Sequence, residues 1–443
     1  MVSGGLAICI LLFAVALIIF LTSNFKMNAF IVLLMAAFTY GLLVGMPLPE
    51  IVKTIRDGFG KTLGYIGIVI VAGTIIGTIL EKTGAALSMT NAILRLVGKK
   101  RSPLAMSIAG YVVSIPVFCD SGYVILSPLN KALAQETGKS MAIMAVALST
   151  GLYATHCLVP PTPGPIAAAG ILKAELGAVI GLGLIVSIPA MIAGYLWANL
   201  FAKKYYIEAA LEETYDSLME KFGKLPPVFT SFMPLVVPII LILLKSVGEF
   251  PTRPFGEGGF AKFLSFVGDP VTALLIGVFL ALFLVKKYLL GEAVQEWMAA
   301  GVKNAALILA ITGAGGAFGA ILRASPIGDF LGESLSSVQI GIFLPFLIAA
   351  ALKTAQGSST VAIITTSSIM APLLGTFGLN PVLTVLAIGA GSMTVSHAND
   401  SYFWVVSQFS DMEVPIAYRA YTSATFLQGF VSIIVITLIS IFF

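Results

Sequence analysis

Four short polar clusters interrupt a mostly apolar chain: Cys119-Asp120-Ser121-Gly122, Thr155-His156 with Pro160-Pro161-Thr162-Pro163-Gly164-Pro165, Gln356-Gly357-Ser358-Ser359-Thr360, and Ser396-His397-Ala398-Asn399-Asp400-Ser401. Each lies where an apolar helical segment starts or breaks. The first turn of a helix offers unpaired N–H groups and a partial positive charge to an anion. Ser121, Thr162, Ser358, Ser359 and Thr360 add hydroxyls, and His397 and Asn399 can bond to hydroxyls on a bound molecule. Gly122, His156, Gly164, Gln356 and Gly357 complete the candidate binding set, with Asp120 beside them. That chemistry suits a small hydroxylated carboxylate. A lipophilic cargo needs none of it.

The ionisable members each have two readings. Asp120 and Asp400 lie close to apolar segments, where a bare carboxylate costs several kcal/mol, roughly 3 on insertion scales. Either each caps a helix and stays charged, or one takes a proton in step with the ligand. His156 and His397, the only histidines, titrate near neutral pH, so they either hold structure or handle ligand or proton. Lys353 either neutralises an anionic ligand or pairs with a local carboxylate. No metal is expected, because Cys119-Asp120 and His156-Cys157 match no zinc spacing. Gly313-Ala-Gly-Gly316 has neither the preceding strand nor the Lys-Ser/Thr of a phosphate loop. No Gly-x-Ser-x-Gly or His-Glu-x-x-His marks a hydrolase. The expectation is therefore not an enzyme, with no cofactor.

Clusters of this kind need elements that stop inside a membrane. The chain has 443 residues, 58% hydrophobic and 10% charged, against about 25% charged in soluble domains. It reads as an all-α polytopic membrane protein; a β-barrel would alternate apolar and polar residues. A net charge of +4 fits basic residues at a membrane surface and argues against nucleic acid. Full-length spans are expected at about 5–22, 27–46, 63–81, 141–158, 176–199, 228–247, 268–286, 304–322, 381–397 and 421–443, and the first reads as a retained span, not a cleaved leader. Polar or amphipathic connectors are expected at Pro47–Lys61 and Gly84–Arg101.

Around Gln356–Thr360 the flanking apolar runs, about 339–351 and 361–374, are too short to cross; a span needs about 20 residues. They read as a re-entrant hairpin, tolerated only where its backbone is buried or lines a wet cavity. Leu104–Phe118 and Tyr123–Leu133, joined by Cys119–Gly122, read as a second hairpin. Four prolines within Pro160–Pro165 must break their helix.

The halves resemble one another. Lys61 falls on Lys303, a shift of 242 residues, and with it Gly73 on Gly315 and Gly77 on Gly319; His156 precedes His397 by 241. The expected organisation is a first repeat at 1–202 (hairpin about 102–137, broken helix about 141–173), a cytoplasmic connector at 203–227, and a second repeat at 228–443 (hairpin about 338–374, broken helix about 381–409). Five crossings per half invert the second relative to the first. Basic residues collect on one face at Lys82, Arg95, Lys99, Lys100, Arg101, Lys131, Lys139, Lys203, Lys204, Lys221, Lys224, Lys286 and Lys287, against fewer on the other, chiefly Lys53, Arg56, Arg253 and Lys262, which makes the first face cytoplasmic and puts both termini outside.

Pro116-Val-Phe-Cys-Asp-Ser-Gly-Tyr, His156-Cys-Leu-Val-Pro-Pro-Thr-Pro-Gly-Pro165, Gly389-Ala-Gly-Ser392 and His397-Ala-Asn-Asp-Ser-Tyr-Phe-Trp404 resemble the gluconate permease (GntP) family nearly end to end. The resemblance implies a symporter of the bacterial cytoplasmic (inner) membrane that imports gluconate-like sugar acids with protons. It also implies a two-domain elevator, likened to other ion transporters, with hairpins and broken spans moving against a scaffold, and a homodimer. Many members read Phe-Phe-Asp-Val-Gly where this chain has Phe118-Cys-Asp-Ser-Gly122, and His where it has Thr162. Gluconate, another aldonate, glycerate and D-serine therefore all stay open. Proton carriers are sought among Asp120, Asp400, His156 and His397. Rival readings are sodium coupling through carbonyls and hydroxyls and, from another class, an anion channel.

Overall fold

The computed structural model describes residues 4–209, 223–249, 253–325 and 341–442. The middle of the 203–227 connector and the first residues of the 338–374 hairpin lie outside them. Among the described residues every regular element is helical. The first half holds α1 (Gly4–Ser23), α2 (Ala29–Leu43), α3 (Leu48–Lys82), α4 (Ala85–Val97), α5 (Ser102–Val113), α6 (Cys119–Thr137), α7 (Met141–Leu158), α8 (Pro163–Leu172) and α9 (Leu176–Leu200). The second holds α10 (Val228–Gly248), α11 (Gly259–Val267), α12 (Pro270–Leu282), α13 (Lys287–Arg323), α14 (Phe343–Gln356), α15 (Ser359–Met370), α16 (Pro381–Met393), α17 (Ser401–Phe409) and α18 (Val414–Ser440).

Side-chain caps set many of the helix starts. Ser140 Oγ accepts from the Ala142 amide at 3.2 Å, and Glu175 Oε1 from the Gly177 amide at 3.0 Å. Asp269 and Asn380 each cap a helix whose first residue is proline. A proline there loses no hydrogen bond, because that N–H would be unpaired anyway.

The packing centre is the broken span Met141–Leu172, whose most apolar window is 94% buried. α5, α9, α16 and α18 pack on its first part, α7, and α15 and α16 on its second, α8. The two long helices α3 and α13 cross closely, and α2, α10 and α12 complete that group. Glycine makes the crossing possible: a β-carbon on Gly58 would lie 2.8 Å from the Gly316 carbonyl oxygen. The glycine pairs matched in the sequence face the broken elements. A β-carbon on Gly73 would come within 3.1 Å of the Pro161 oxygen and one on Gly77 within 2.4 Å of the Pro116 oxygen; for Gly319 the neighbour is the Ser368 oxygen at 3.1 Å.

Among the described residues six helices are long and apolar enough to cross a membrane, or seven if α11 and α12, bent by 65°, form one span. They match seven of the ten expected spans, and α2 and α16 are shorter, at 15 and 13 residues. The stretch Pro47–Lys61 is not a connector but the first turns of α3, where Ile51, Ile55 and Gly58 are buried at helical spacing and the charges sit between them. Gly84–Arg101 is likewise mostly helix α4, with Leu87, Met89 and Leu94 buried. The 381–397 span stops at Met393, because Val395 takes a left-handed φ of +50°.

The first hairpin also turns earlier than expected. α5 ends at Val113, the chain reverses through Ser114–Phe118, and Cys119–Gly122 is already the first turn of α6.

Contacts tie two of the basic residues at the open end of the first hairpin to their neighbours. Lys99 pairs with Glu136 at 2.7 Å, Lys131 with Asp411 at 3.0 Å, and the Met141 amide donates to the Ile207 carbonyl at 2.9 Å.

Candidate functional site

Asp120 occupies the first turn of α6 and leaves the capping position to Phe118, which offers no side-chain bond. Its Oδ1 is buried without a hydrogen-bond partner. Ser121 beside it is half-buried, whereas Gly122 is buried, and a β-carbon there would lie 2.7 Å from Leu152 Cδ2. Gly122 thus lets α6 close on α7.

The break between α7 and α8 spans Val159–Thr162 and contains a cis Pro160–Pro161 peptide. His156, in the last turn of α7, is 6% exposed and its Nδ1 has no partner. Its ring stacks on Tyr153 at 6.3 Å, with Phe118 from the first hairpin at 6.2 Å. Thr162 turns its hydroxyl back to the Val159 carbonyl at 2.6 Å, and Gly164 packs beside Ile363 of α15. Both therefore face protein in this conformation.

The second hairpin turns on only two non-helical residues, Gly357 and Ser358. Gly357 takes φ +92°, a conformation that disfavours a β-carbon. Ser358 Oγ accepts from the Val361 amide at 3.3 Å, so it caps α15 as its type suggests. Gln356 Nε2 donates to the Ser358 carbonyl at 2.7 Å, Ser359 is buried, and Thr360 is half-buried.

Between α16 and α17 the chain crosses this hairpin tip. His397 Nε2 lies 2.9 Å and Asn399 Nδ2 2.8 Å from the Thr354 carbonyl oxygen. Asp400 caps α17 through the Tyr402 amide at 3.1 Å, and its Oδ2 lies 2.5 Å from Lys353 Nζ. Of the two readings of Lys353, the one realised is pairing with a local carboxylate.

The four breaks thus meet. Asp120 and His156 each interact electrostatically with both Lys353 and Asp400. Cys157 lies near Ser359 and Ser392, and the Ser392 hydroxyl donates to the Gly389 carbonyl at 2.8 Å. His397 and Asn399 instead gather on the Thr354 side of the tip. Sequence reasoning missed an aromatic wall: Tyr153 and Tyr402 have ring centroids 5.3 Å apart, and Tyr402 meets Tyr421 at 5.9 Å. The signal was there, since Tyr153 precedes His156 by one helical turn. Among the described residues no three His, Cys, Asp or Glu side chains are placed to hold a metal ion.

A model of the GntP family permeases matches residues 6–442. The chain belongs to the GntP permease family. A gluconate permease of Pseudomonas aeruginosa is 35% identical over 437 residues, covering 96% of this chain and 95% of its own. The D-serine transporter DsdX of Escherichia coli O6:H1 is 33% identical, covering 96% of each. The crystal structure of the Alcanivorax borkumensis YdaH transporter superposes with a TM-score of 0.63 at 17% identity, over 89% of each chain; at that identity the likeness is one of fold. This GntP permease is accordingly a multi-pass transporter of the bacterial cytoplasmic membrane and not an enzyme. The motifs that carried the resemblance thus led to the right family.

Proposed function

We propose that this GntP permease imports a small hydroxylated monocarboxylate, a gluconate-like sugar acid or glycerate, together with a proton. The observation that carries the reading is a pair of buried polar atoms without partners, Asp120 Oδ1 and His156 Nδ1, at the meeting point of four helix breaks. Buried polar groups are normally satisfied, so two orphans beside the N-termini of α6 and α8, neither of which has a side-chain cap, suit a ligand that brings its own donors and acceptors. Asp400 already has Lys353 as counter-charge. Asp120 is therefore the favoured proton carrier: protonated, it no longer repels the incoming anion, which ties the two loads together. The relatives named for gluconate and D-serine mark the size and polarity to search first.

In this reading the halves form an inverted repeat. Hairpins α5–α6 and α14–α15, with the broken spans α7–α8 and α16–α17, move as one body against α1–α3 and α10–α13 in a homodimer, exposing the site to each side in turn. The matched glycine contacts of α3 and α13 support that division. So does the basic end, which becomes the cytoplasmic face.

The test is uptake into proteoliposomes. Asp120→Asn should abolish accumulation driven by a pH gradient while sparing exchange. If the variant concentrates substrate normally, Asp120 does not carry the proton. Accumulation under a sodium gradient with pH clamped would replace the proton with Na⁺, and a non-saturating current would mark a channel instead.

A further inference from the structure

Lys353 is 0% exposed, yet its charge is fully spoken for. Its Nζ donates to the Gly357 carbonyl one turn on and to Asp400 Oδ2 at 2.5 Å. Asp400 is filled from the other side: Oδ2 also accepts from Ser396 Oγ at 2.5 Å, and Oδ1 accepts from the Tyr402 amide at 3.1 Å. The ring of Tyr153 covers Nζ at 5.8 Å. Ser396 is itself fixed to α18, its amide donating to Thr425 Oγ1 at 3.1 Å and its carbonyl accepting from Thr422 Oγ1 at 2.6 Å.

We infer that Lys353 and Asp400 form a latch and are positioning residues, not ligands of the transported molecule. The pair joins the end of α14 to the break between α16 and α17. It fixes the Gly357 turn, and with it the first N–H groups of α15, where an anion would meet them. The ligand's carboxylate is then held by backbone N–H groups and hydroxyls, with no lysine as its counter-charge. Where the ligand sits rests on the transport reading above; the latch itself rests on its own geometry.

The two roles of Lys353 separate by charge logic. Removing one partner of a buried pair strands the other charge in an apolar interior, whereas replacing both by neutral groups removes that demand. A lysine serving an anionic ligand behaves differently, because neutralising it weakens binding in every background.

The experiment compares the full chain with Lys353→Met, Asp400→Asn and the double variant. It reads melting temperature and counterflow of gluconate, which needs no driving gradient. Each single variant should melt lower and carry less than a hundredth of the wild-type flux. The double variant should recover most of the melting temperature and at least a tenth of the flux, with half-saturation within threefold of wild type. A double variant no more stable than the worse single, or one needing tenfold more gluconate, overturns the latch. If that double does not accumulate in membranes, Lys353→Gln with Asp400→Asn, which keeps donors at both ends, takes its place. Failure of both neutral pairs to assemble also overturns it. The melting comparison uses no substrate, so a wild type that carries neither gluconate-like sugar acids nor glycerate defeats the transport reading while still testing the latch.

Discussion

At Gly357 a β-carbon would fall 2.1 Å from the Asn399 carbonyl oxygen, on a backbone already at φ +92°. Gly357→Ala combines a left-handed conformation with a steric clash and should lower stability by about 1–3 kcal/mol. Chemical or thermal melting of the purified variant checks this, and a melting curve unchanged from wild type contradicts it. His397 and Asn399 share one acceptor, the Thr354 carbonyl. Either bond can stand in for the other, so each alanine variant alone should cost under about 1 kcal/mol. The double variant should exceed the sum, since neighbours on one acceptor do not act independently.

The long helices make a sharper prediction at the scale of elements. Gly77 faces the Pro116 carbonyl, whereas a β-carbon on Gly60 of the same helix meets nothing within 4 Å. Gly77→Val should displace the first hairpin and depress uptake at least tenfold; Gly60→Ala should be neutral or stabilise by up to about 1 kcal/mol through helix propensity. Equal uptake by both variants would show that the Gly77 contact is immaterial. The second hairpin was legible because Gln-Gly-Ser-Ser-Thr concentrates turn and cap chemistry on the residues that turn. The first misled, because Cys-Asp-Ser-Gly looks like a turn while Ser114–Phe118, mostly apolar but carrying Pro116, makes the reversal. Charges at Lys53, Arg56, Asp57 and Lys61 hid the start of α3, since composition registers their presence but not the face they occupy. Hidden most thoroughly was the Lys353–Asp400 pair, whose partners lie 47 residues apart and meet only through the fold.

For the whole molecule, the clustering of Lys99, Lys131 and Lys139 at one end makes orientation measurable. In a background without native cysteines, Lys100→Cys should react with an impermeant maleimide only from the cytoplasmic side, and Lys262→Cys only from outside. Labelling of both from one side rules the assignment out. Met141–Leu172, buried over 94% of its most apolar window, is walled off from lipid by the helices around it. The helices that turn Phe13, Phe279 and Phe430 outward take the strain when the bilayer is thicker or thinner than they are long. Acyl-chain length in reconstituted vesicles should therefore alter how fast the carrier turns over while leaving its affinity for cargo nearly constant.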